Sequence, residues 1–259
     1  MTAPTAAELR SPFDLHGRCA VVTGAGRGLG QAVAIGLAQA GADLVLLGRP
    51  GSQDTTRDQV ADLGRDVEVV DLDVSDHDAV ERVGARLVAD RQVDVLVNNA
   101  GIIDREDSVA VDRDAWHKVL DVNLTGLFFL CQQLGRPMTE RGHGKIVSIA
   151  SLLSFQGGIR VASYAASKHG VAGITKALAN EWGPLGVQVN AIAPGYIATD
   201  NTTALREDPE RSRSILERIP AGRWGTASDI AGAAVFLSSP AADYVNGHVL
   251  VVDGGWMAR

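Results

Sequence analysis

The chain is expected to fold as α/β, a doubly wound parallel sheet of about seven strands with helices on both faces. Three observations predict this. Short apolar runs recur along nearly the whole chain, and each is followed by a stretch with helical spacing. The runs are continuously apolar instead of alternating, as strands buried on both faces must be. A glycine-rich turn directly follows the first run and opens the first helical stretch.

The strand runs are Cys19–Val22, Leu44–Leu47, Val67–Val70, Val93–Val97, Lys145–Ile149, Val187–Ile192 and Val249–Val252. Helical periodicity covers Gly28–Ala40, Ala79–Asp90, Trp116–Leu134 and Ala165–Trp182. Right-handed crossovers between such units lay parallel strands side by side with helices above and below. No repeat, low-complexity tract or linker divides the chain, so residues 13–259 are expected to form one domain behind a disordered leader, residues 1–12. The segment 196–220 is polar and charge-rich, with Arg206-Glu207-Asp208-Pro209-Glu210-Arg211 at its centre. Placed between the sixth and seventh strands, it is expected to act as a substrate lid, because excursions at the carboxyl ends of strands often cover ligands.

Composition removes several function classes. With 259 residues, 46% hydrophobic and 21% charged, the chain has material for a full core. Its 24 basic against 31 acidic residues give a net charge of −7, which disfavours nucleic acid as a partner. No apolar stretch is long enough for a bilayer span, and the leader lacks the apolar core of a secretory signal. Two distant cysteines, Cys19 and Cys131, read as buried thiols and suit a cytoplasmic setting. The six histidines show no metal-ligand spacing, so no metal is expected, and no Gly-x-Ser-x-Gly elbow points to acyl transfer.

The first turn reads Thr23-Gly24-Ala25-Gly26-Arg27-Gly28-Leu29-Gly30. Glycines here permit a tight turn, let a pyrophosphate approach the backbone, and let helix and strand pack closely. Free N–H groups of the helix start would then face phosphates. This makes the expected domain a Rossmann-type dinucleotide binder. At the tip of the second strand, Gly48-Arg49 replaces the acid that would bind a ribose 2′-OH. Arg49, with Arg27, offers a charge-assisted clamp for a 2′-phosphate, so NADP is the preferred cofactor and NAD the alternative. Asp73 and Val74 after the third strand are candidate adenine contacts, although Asp73 also reads as a helix cap. Asn99, Ala100 and Gly101 close the fourth strand with small and polar residues suited to a cofactor cleft.

Tyr164 and Lys168 stand at i and i+4, so they share one helix face. An ammonium beside a phenol would lower the phenol's pKa from about 10, tuning it for proton exchange with an alcohol. Ser151, after the fifth strand, can hold the same substrate oxygen, and Asn123 can orient Lys168 through water. Each of these residues alone has a plain structural explanation; the ordered set carries the chemistry.

The sequence resembles the short-chain dehydrogenase/reductase family. The loop Thr23–Gly30, Asn98–Gly101, Asn123, Ser151, Tyr164/Lys168 and Pro194-Gly195 stand in the family's order, and the likeness runs from about Phe13 to Arg259. The resemblance implies that Asn123, Ser151, Tyr164 and Lys168 form a catalytic tetrad, with Lys168 also holding the nicotinamide ribose. It implies that Ile197 and Thr199, after Pro194 and Gly195, hold the carboxamide, and that the protein is a homotetramer.

Within that family, the segments Ile149–Arg160, Arg218–Gly225, Asp243–Gly247 and Val252–Arg259 look like bacterial 2-deoxy-D-gluconate 3-dehydrogenases. That group includes 2-dehydro-3-deoxy-D-gluconate 5-dehydrogenases and sits beside the gluconate 5-dehydrogenases. The implied activity is hydride transfer between NAD(P) and a secondary hydroxyl or ketone of a gluconate-type hexonate. A 3-oxoacyl-carrier-protein-type carbonyl reductase is the alternative, and a silent dinucleotide-binding sensor a more distant one. Ser151 and Tyr164 would touch the substrate. Arg105, four residues past Gly101, and Arg160, four before Tyr164, are candidates for its carboxylate.

Overall fold

The computed structural model describes residues 11–259. The expected leader therefore lies outside the described residues, except Ser11 and Pro12, and the Pro12 carbonyl accepts a hydrogen bond from the Ala241 amide at 2.9 Å. Among the described residues, seven strands form one sheet. They are β1 (Cys19–Thr23), β2 (Asp43–Gly48), β3 (Val67–Asp71), β4 (Val95–Asn98), β5 (Gly144–Ile149), β6 (Val187–Pro194) and β7 (Val249–Val252). The order is β3-β2-β1-β4-β5-β6-β7, and every pairing is parallel. The chain reverses direction across the sheet between β1 and β4, so the crevice for a ligand opens at the carboxyl ends of those two strands.

The helices are α1 (Gly28–Gln39), α2 (Asp54–Asp62), α3 (His77–Asp90), α4 (Arg113–Leu120), α5 (Gly126–Arg141), α6 (Ala162–Trp182), α7 (Thr203–Glu207), α8 (Pro209–Arg218) and α9 (Ala227–Ser238). Two apolar clusters lie on opposite faces of the sheet. Val21, Val45, Leu96, Ile146 and Val189 face α3, α5 and α6; Ala20, Leu44, Val95, Val147 and Ile192 face α1 and α9. Neighbouring strand residues thus point into different clusters, the period of two that parallel strands impose.

The stretch expected as one helix over Trp116–Leu134 is α4 and α5, joined by a π-helical turn at Asp121–Thr125. Just after this turn a Cβ on Gly126 would run into the Val74 carbonyl, so the helix passes this point without a side chain. Helices α2 and α9 were not anticipated as separate elements: α2 is mostly polar, and α9 (Ala-Ser-Asp-Ile-Ala-Gly-Ala-Ala-Val-Phe-Leu-Ser) is largely small residues. Small residues are what α9 needs, because Gly36 of α1 packs against Ala231 and Val235.

Residues 196–220 carry a 3₁₀ turn at Asp200–Thr202, then α7 and α8. Only one side of α8 is anchored. Ile215 and Ile219 pack with Leu152 and Trp256 in a small separate cluster, and the Arg218 guanidinium lies over the Trp256 ring at 4.0 Å.

Candidate active site

The glycine loop is built to be approached. Gly24 and Gly28 hold φ of +64° and +56°, conformations in which a side chain would be strained. A Cβ on Gly30 would strike the Gly24 carbonyl and one on Gly26 the Ser52 carbonyl, so the loop closes tightly on itself and on the segment after β2. Helix α1 then starts from Arg27, whose extended backbone gives no side-chain cap, and no acid occupies the first turn. Its leading N–H groups are thereby left for an anion. Leu29 packs against the core under this loop.

The floor of the cleft is tied together by side chains. The Thr23 hydroxyl accepts hydrogen bonds from the Asn99 and Ala100 amides, both at 2.9 Å. Asn99 Nδ2 donates to the carbonyls of Thr23 at 2.9 Å and Gly24 at 3.1 Å. These two residues lock the end of β4 to the glycine turn, and Ala100 and Gly101 present little side chain above it. At the far edge, Gly195 passes so close to Asp253 that a Cβ would clash. Pro194 ends β6, Ile197 is buried and forms a bridge with Gly225, and Thr199 opens the following 3₁₀ turn in a capping box with Thr202.

The two arginines expected at the adenosine end have different settings. Arg27 Nη1 makes an ion pair at 2.9 Å with Asp200 Oδ2, joining the glycine loop to the segment after β6, and both side chains are largely exposed. Arg49 is exposed at the β2 tip and lies near enough to Asp73 to help depress its pKa. The larger cause there is Ser75, whose hydroxyl and amide donate to Asp73 Oδ1 at 2.7 and 2.9 Å. Asp73 therefore caps a turn, Asp76 caps α3, and Val74 is buried. Sequence reasoning did not anticipate Gln53, which is fully buried beside Gly48 with neither amide atom partnered, nor Asp200 as the partner of Arg27.

The catalytic candidates converge at the carboxyl end of β5. Ser151 follows that strand, and its Oγ accepts from the Leu153 amide at 3.2 Å. Having accepted there, its O–H is free to donate to the Tyr164 oxygen, a hydrogen bond that favours the phenolate. Burial nonetheless dominates and pushes the Tyr164 phenol up; Ser151 and then Arg105 pull it down. The expected lowering by Lys168 does not appear. Lys168 Nζ donates to the Ile149 carbonyl at 2.6 Å and lies over the Tyr164 ring, 5.6 Å from its centroid. Burial brings the Lys168 ammonium down to about 8.

Asn123 sits in the π-turn, fully buried. Its Oδ1 accepts from the Ile102 amide at 2.8 Å, and its Nδ2 donates to the Ile102 carbonyl at 2.9 Å and Ser167 Oγ at 3.1 Å. Ser167 in turn donates to the Tyr164 carbonyl at 2.7 Å. Asn123 thus ties the loop after β4 to the first turns of α6. Ser167 was missed, although its i+3 spacing from Tyr164 puts it on the same helix side.

Arg105 is exposed on the loop leaving β4. Arg160 engages two acids of that same loop, with Nε 3.1 Å from Asp107 Oδ1 and Nη2 3.8 Å from Glu106 Oε1.

A parallel seven-stranded sheet with this loop at its crevice and a Ser-Tyr-Lys group beside it defines a nucleotide-dependent oxidoreductase class. The chain belongs to the short-chain dehydrogenase/reductase family: residues 24–257 match the family model described as enoyl-(acyl carrier protein) reductase. It is 55% identical to 2-dehydro-3-deoxy-D-gluconate 5-dehydrogenase of Bacillus subtilis, over 97% of this chain and 99% of that one. A solved structure described as an NAD(P)-dependent gluconate 5-dehydrogenase of Beutenbergia cavernae, with NADP bound at low occupancy, is 53% identical; the match covers 96% of this chain and 100% of that one, with a TM-score of 0.94. The gluconate 5-dehydrogenase of Burkholderia cenocepacia in complex with NADP and tartrate is 41% identical over 96% and 98%, with a TM-score of 0.92. The chain is an NAD(P)-dependent oxidoreductase acting on CH–OH groups.

Proposed function

We propose that this protein interconverts a secondary hydroxyl and a ketone on a gluconate-type hexonate, with NADP favoured over NAD. The observation that carries the reading is the convergence of Ser151, Tyr164 and the Arg105 loop at one cleft, beside a glycine loop whose helix start is uncapped. When bound, the nicotinamide supplies or accepts the hydride. Tyr164 Oη gives a proton to the forming alkoxide in reduction and takes one from the alcohol in oxidation. Ser151 Oγ donates a hydrogen bond to the same substrate oxygen. Lys168, anchored at the Ile149 carbonyl with its Nζ over the Tyr164 ring, would hold the cofactor ribose and steady the phenol's position. Asn123 holds the β4 loop and α6 in register, so that these groups keep their distances.

Arg105 supplies the substrate's carboxylate partner, since a guanidinium binds a carboxylate with two parallel hydrogen bonds. Its charge helps to lower the Tyr164 phenol, which supports a position near the reacting end of the cleft. The presence of tartrate, a hydroxy acid, in the Burkholderia complex supports an acid substrate. Arg49 at the β2 tip supports NADP, and residues 196–220 act as a lid over the cleft. Exposed apolar side chains at Val109, Ile159 and Tyr244 support assembly into a tetramer, and two core-facing thiols suit a cytoplasmic setting.

The test is turnover of a panel of hexonates with each cofactor, followed by Arg105→Ala on the best acid and on its neutral carboxamide. Arg105→Ala should raise KM for the acid roughly tenfold or more while leaving KM for the carboxamide unchanged, the loss of one charge-assisted pair. Equal losses on both, or turnover of no hexonate, would defeat the reading. Arg49→Asp should swing preference toward NAD, by lost attraction and added repulsion together.

A further inference from the structure

Among the described residues, Arg160 is the one non-glycine with positive φ, at +63°. An arginine in the left-handed region carries a conformational cost that glycine would not. The sequence around it makes the choice notable, since Gly157 and Gly158 stand close by. The strained position is not at the active cleft itself but at the entry to α6, four residues before Tyr164.

What the conformation achieves is contact with the loop leaving β4. The Arg160 carbonyl accepts from the Glu106 amide at 3.0 Å. Its guanidinium reaches Asp107 Oδ1 at 3.1 Å and lies 3.8 Å from Glu106 Oε1. Backbone and side chain of one residue therefore grip the two residues immediately after Arg105. The other end of that loop is already held, because Asn123 binds both the amide and the carbonyl of Ile102. Arg105 sits between these two clamps, and each clamp leads to α6: Asn123 through Ser167, Arg160 directly.

We infer that Arg160 is a positioning residue for substrate specificity: it holds Glu106 and Asp107 so that Arg105 is presented to the carboxylate of a hexonate bound at Tyr164. This rests on Arg105 as the carboxylate partner. The exposed ion pairs contribute little to stability individually. Their consequence is geometric, because a guanidinium grips a carboxylate only when its planar fork is aimed.

The variant that isolates the side chain is Arg160→Gly, which keeps the left-handed backbone and removes the guanidinium. The assay compares KM and kcat for the best hexonate and for its neutral carboxamide, with thermal unfolding as a check on the fold. Arg160→Gly is expected to raise KM for the acid about fivefold, the scale of a lost exposed ion pair. It should leave kcat, the carboxamide and cofactor KM unchanged. Arg160→Lys should recover part of the loss, and Asp107→Asn should reproduce it without adding to it in the double variant. Equal losses on acid and carboxamide, or a loss that follows only the unfolding temperature, would make Arg160 a structural clamp and overturn the inference. If Arg105→Ala is selective for the acid while Arg160→Gly is silent, the inference fails and the carboxylate assignment stands. If Arg105→Ala is itself silent, both fall.

Discussion

Two lysines lie buried at opposite ends of one strand, and their surroundings differ. Lys145 is the second residue of β5, with 2% of its surface exposed, and Lys168 binds the carbonyl of Ile149 at the end of β5, with 4% exposed. Burial lowers the pKa of both. Lys145 then recovers charge stabilisation from Asp243, whose Oδ1 is 2.7 Å from Nζ. Lys168 has a carbonyl and no compensating charge among the causes of its shift. Lys145 is thus matched to an acid and Lys168 is not, which fits the part proposed for Lys168 in holding the cofactor and steering the proton. The same contrast runs across the sheet. Its amino end gathers Arg18, Asp94, Arg141 and Lys145 into paired charges, whereas its carboxyl end leaves helix amides, a tyrosine and a lysine available.

The sharpest way to break this comparison is to remove chemistry at the carboxyl end. Tyr164→Phe deletes the oxygen proposed to transfer the proton and keeps the ring, so kcat should fall by at least about 10²–10⁴-fold with cofactor affinity nearly intact. Near wild-type turnover, read from cofactor absorbance, would remove Tyr164 from the mechanism. Lys168→Met should lower kcat roughly a hundredfold and weaken cofactor binding as well, because the proposed mechanism gives one ammonium both the phenol and the ribose to serve. A change in only one of the two, measured by steady-state kinetics and cofactor titration, would deny the dual role. Lys145→Met, equally buried, should leave kcat within about twofold.

The sheet was legible because parallel strands must be apolar on both faces, and Val-rich runs such as Leu44–Leu47 admit few other readings. The glycine loop was legible because its glycines answer a steric demand that Gly24, Gly26 and Gly30 each meet. The Tyr164/Lys168 pair followed from helical spacing. What spacing does not report is direction. It put an ammonium near a phenol, but the ammonium turns to Ile149, and burial then raises the phenol instead of lowering it. The π-turn at Asn123 was hidden for a related reason. The glycine that follows it, Gly126, passes against the Val74 carbonyl, a neighbour distant in sequence. Arg160 is, after Arg105, the second sequence candidate for the substrate carboxylate; its positive φ and its contacts with Glu106 and Asp107 are features that no local pattern announces.

At the amino end the comparison predicts effects on stability alone. Asp243→Ala leaves the Lys145 ammonium buried without its acid and should cost about 1–3 kcal/mol. Lys145→Met removes the buried charge itself, leaves Asp243 in solvent, and should cost less than about 1 kcal/mol or even stabilise. Denaturant unfolding of the two variants separates these values. If Lys145→Met were the more damaging, the pair would be a net source of stability and the contrast with Lys168 would weaken.

The smallest effect concerns pH. Lys168 titrates near 8 in the folded protein against an ordinary 10.5, so between those values the unfolded chain binds the extra proton. Stability linked to this lysine must then rise with pH, being lost as pH falls through 8 and complete only above 10.5. Tyr164 acts the other way, since a raised phenol pKa costs stability once pH exceeds its ordinary value of about 10. The useful window therefore lies above the folded lysine value and below that of the free phenol. Lys145 is common to wild type and to Lys168→Met, so its own titration cancels in their difference. Across that window the unfolding free energy of wild type should gain on Lys168→Met by on the order of 1 kcal/mol. Parallel curves for the two proteins would mean that Lys168 keeps an ordinary pKa, and that the carbonyl of Ile149 and the ring of Tyr164 hold its charge as well as water does.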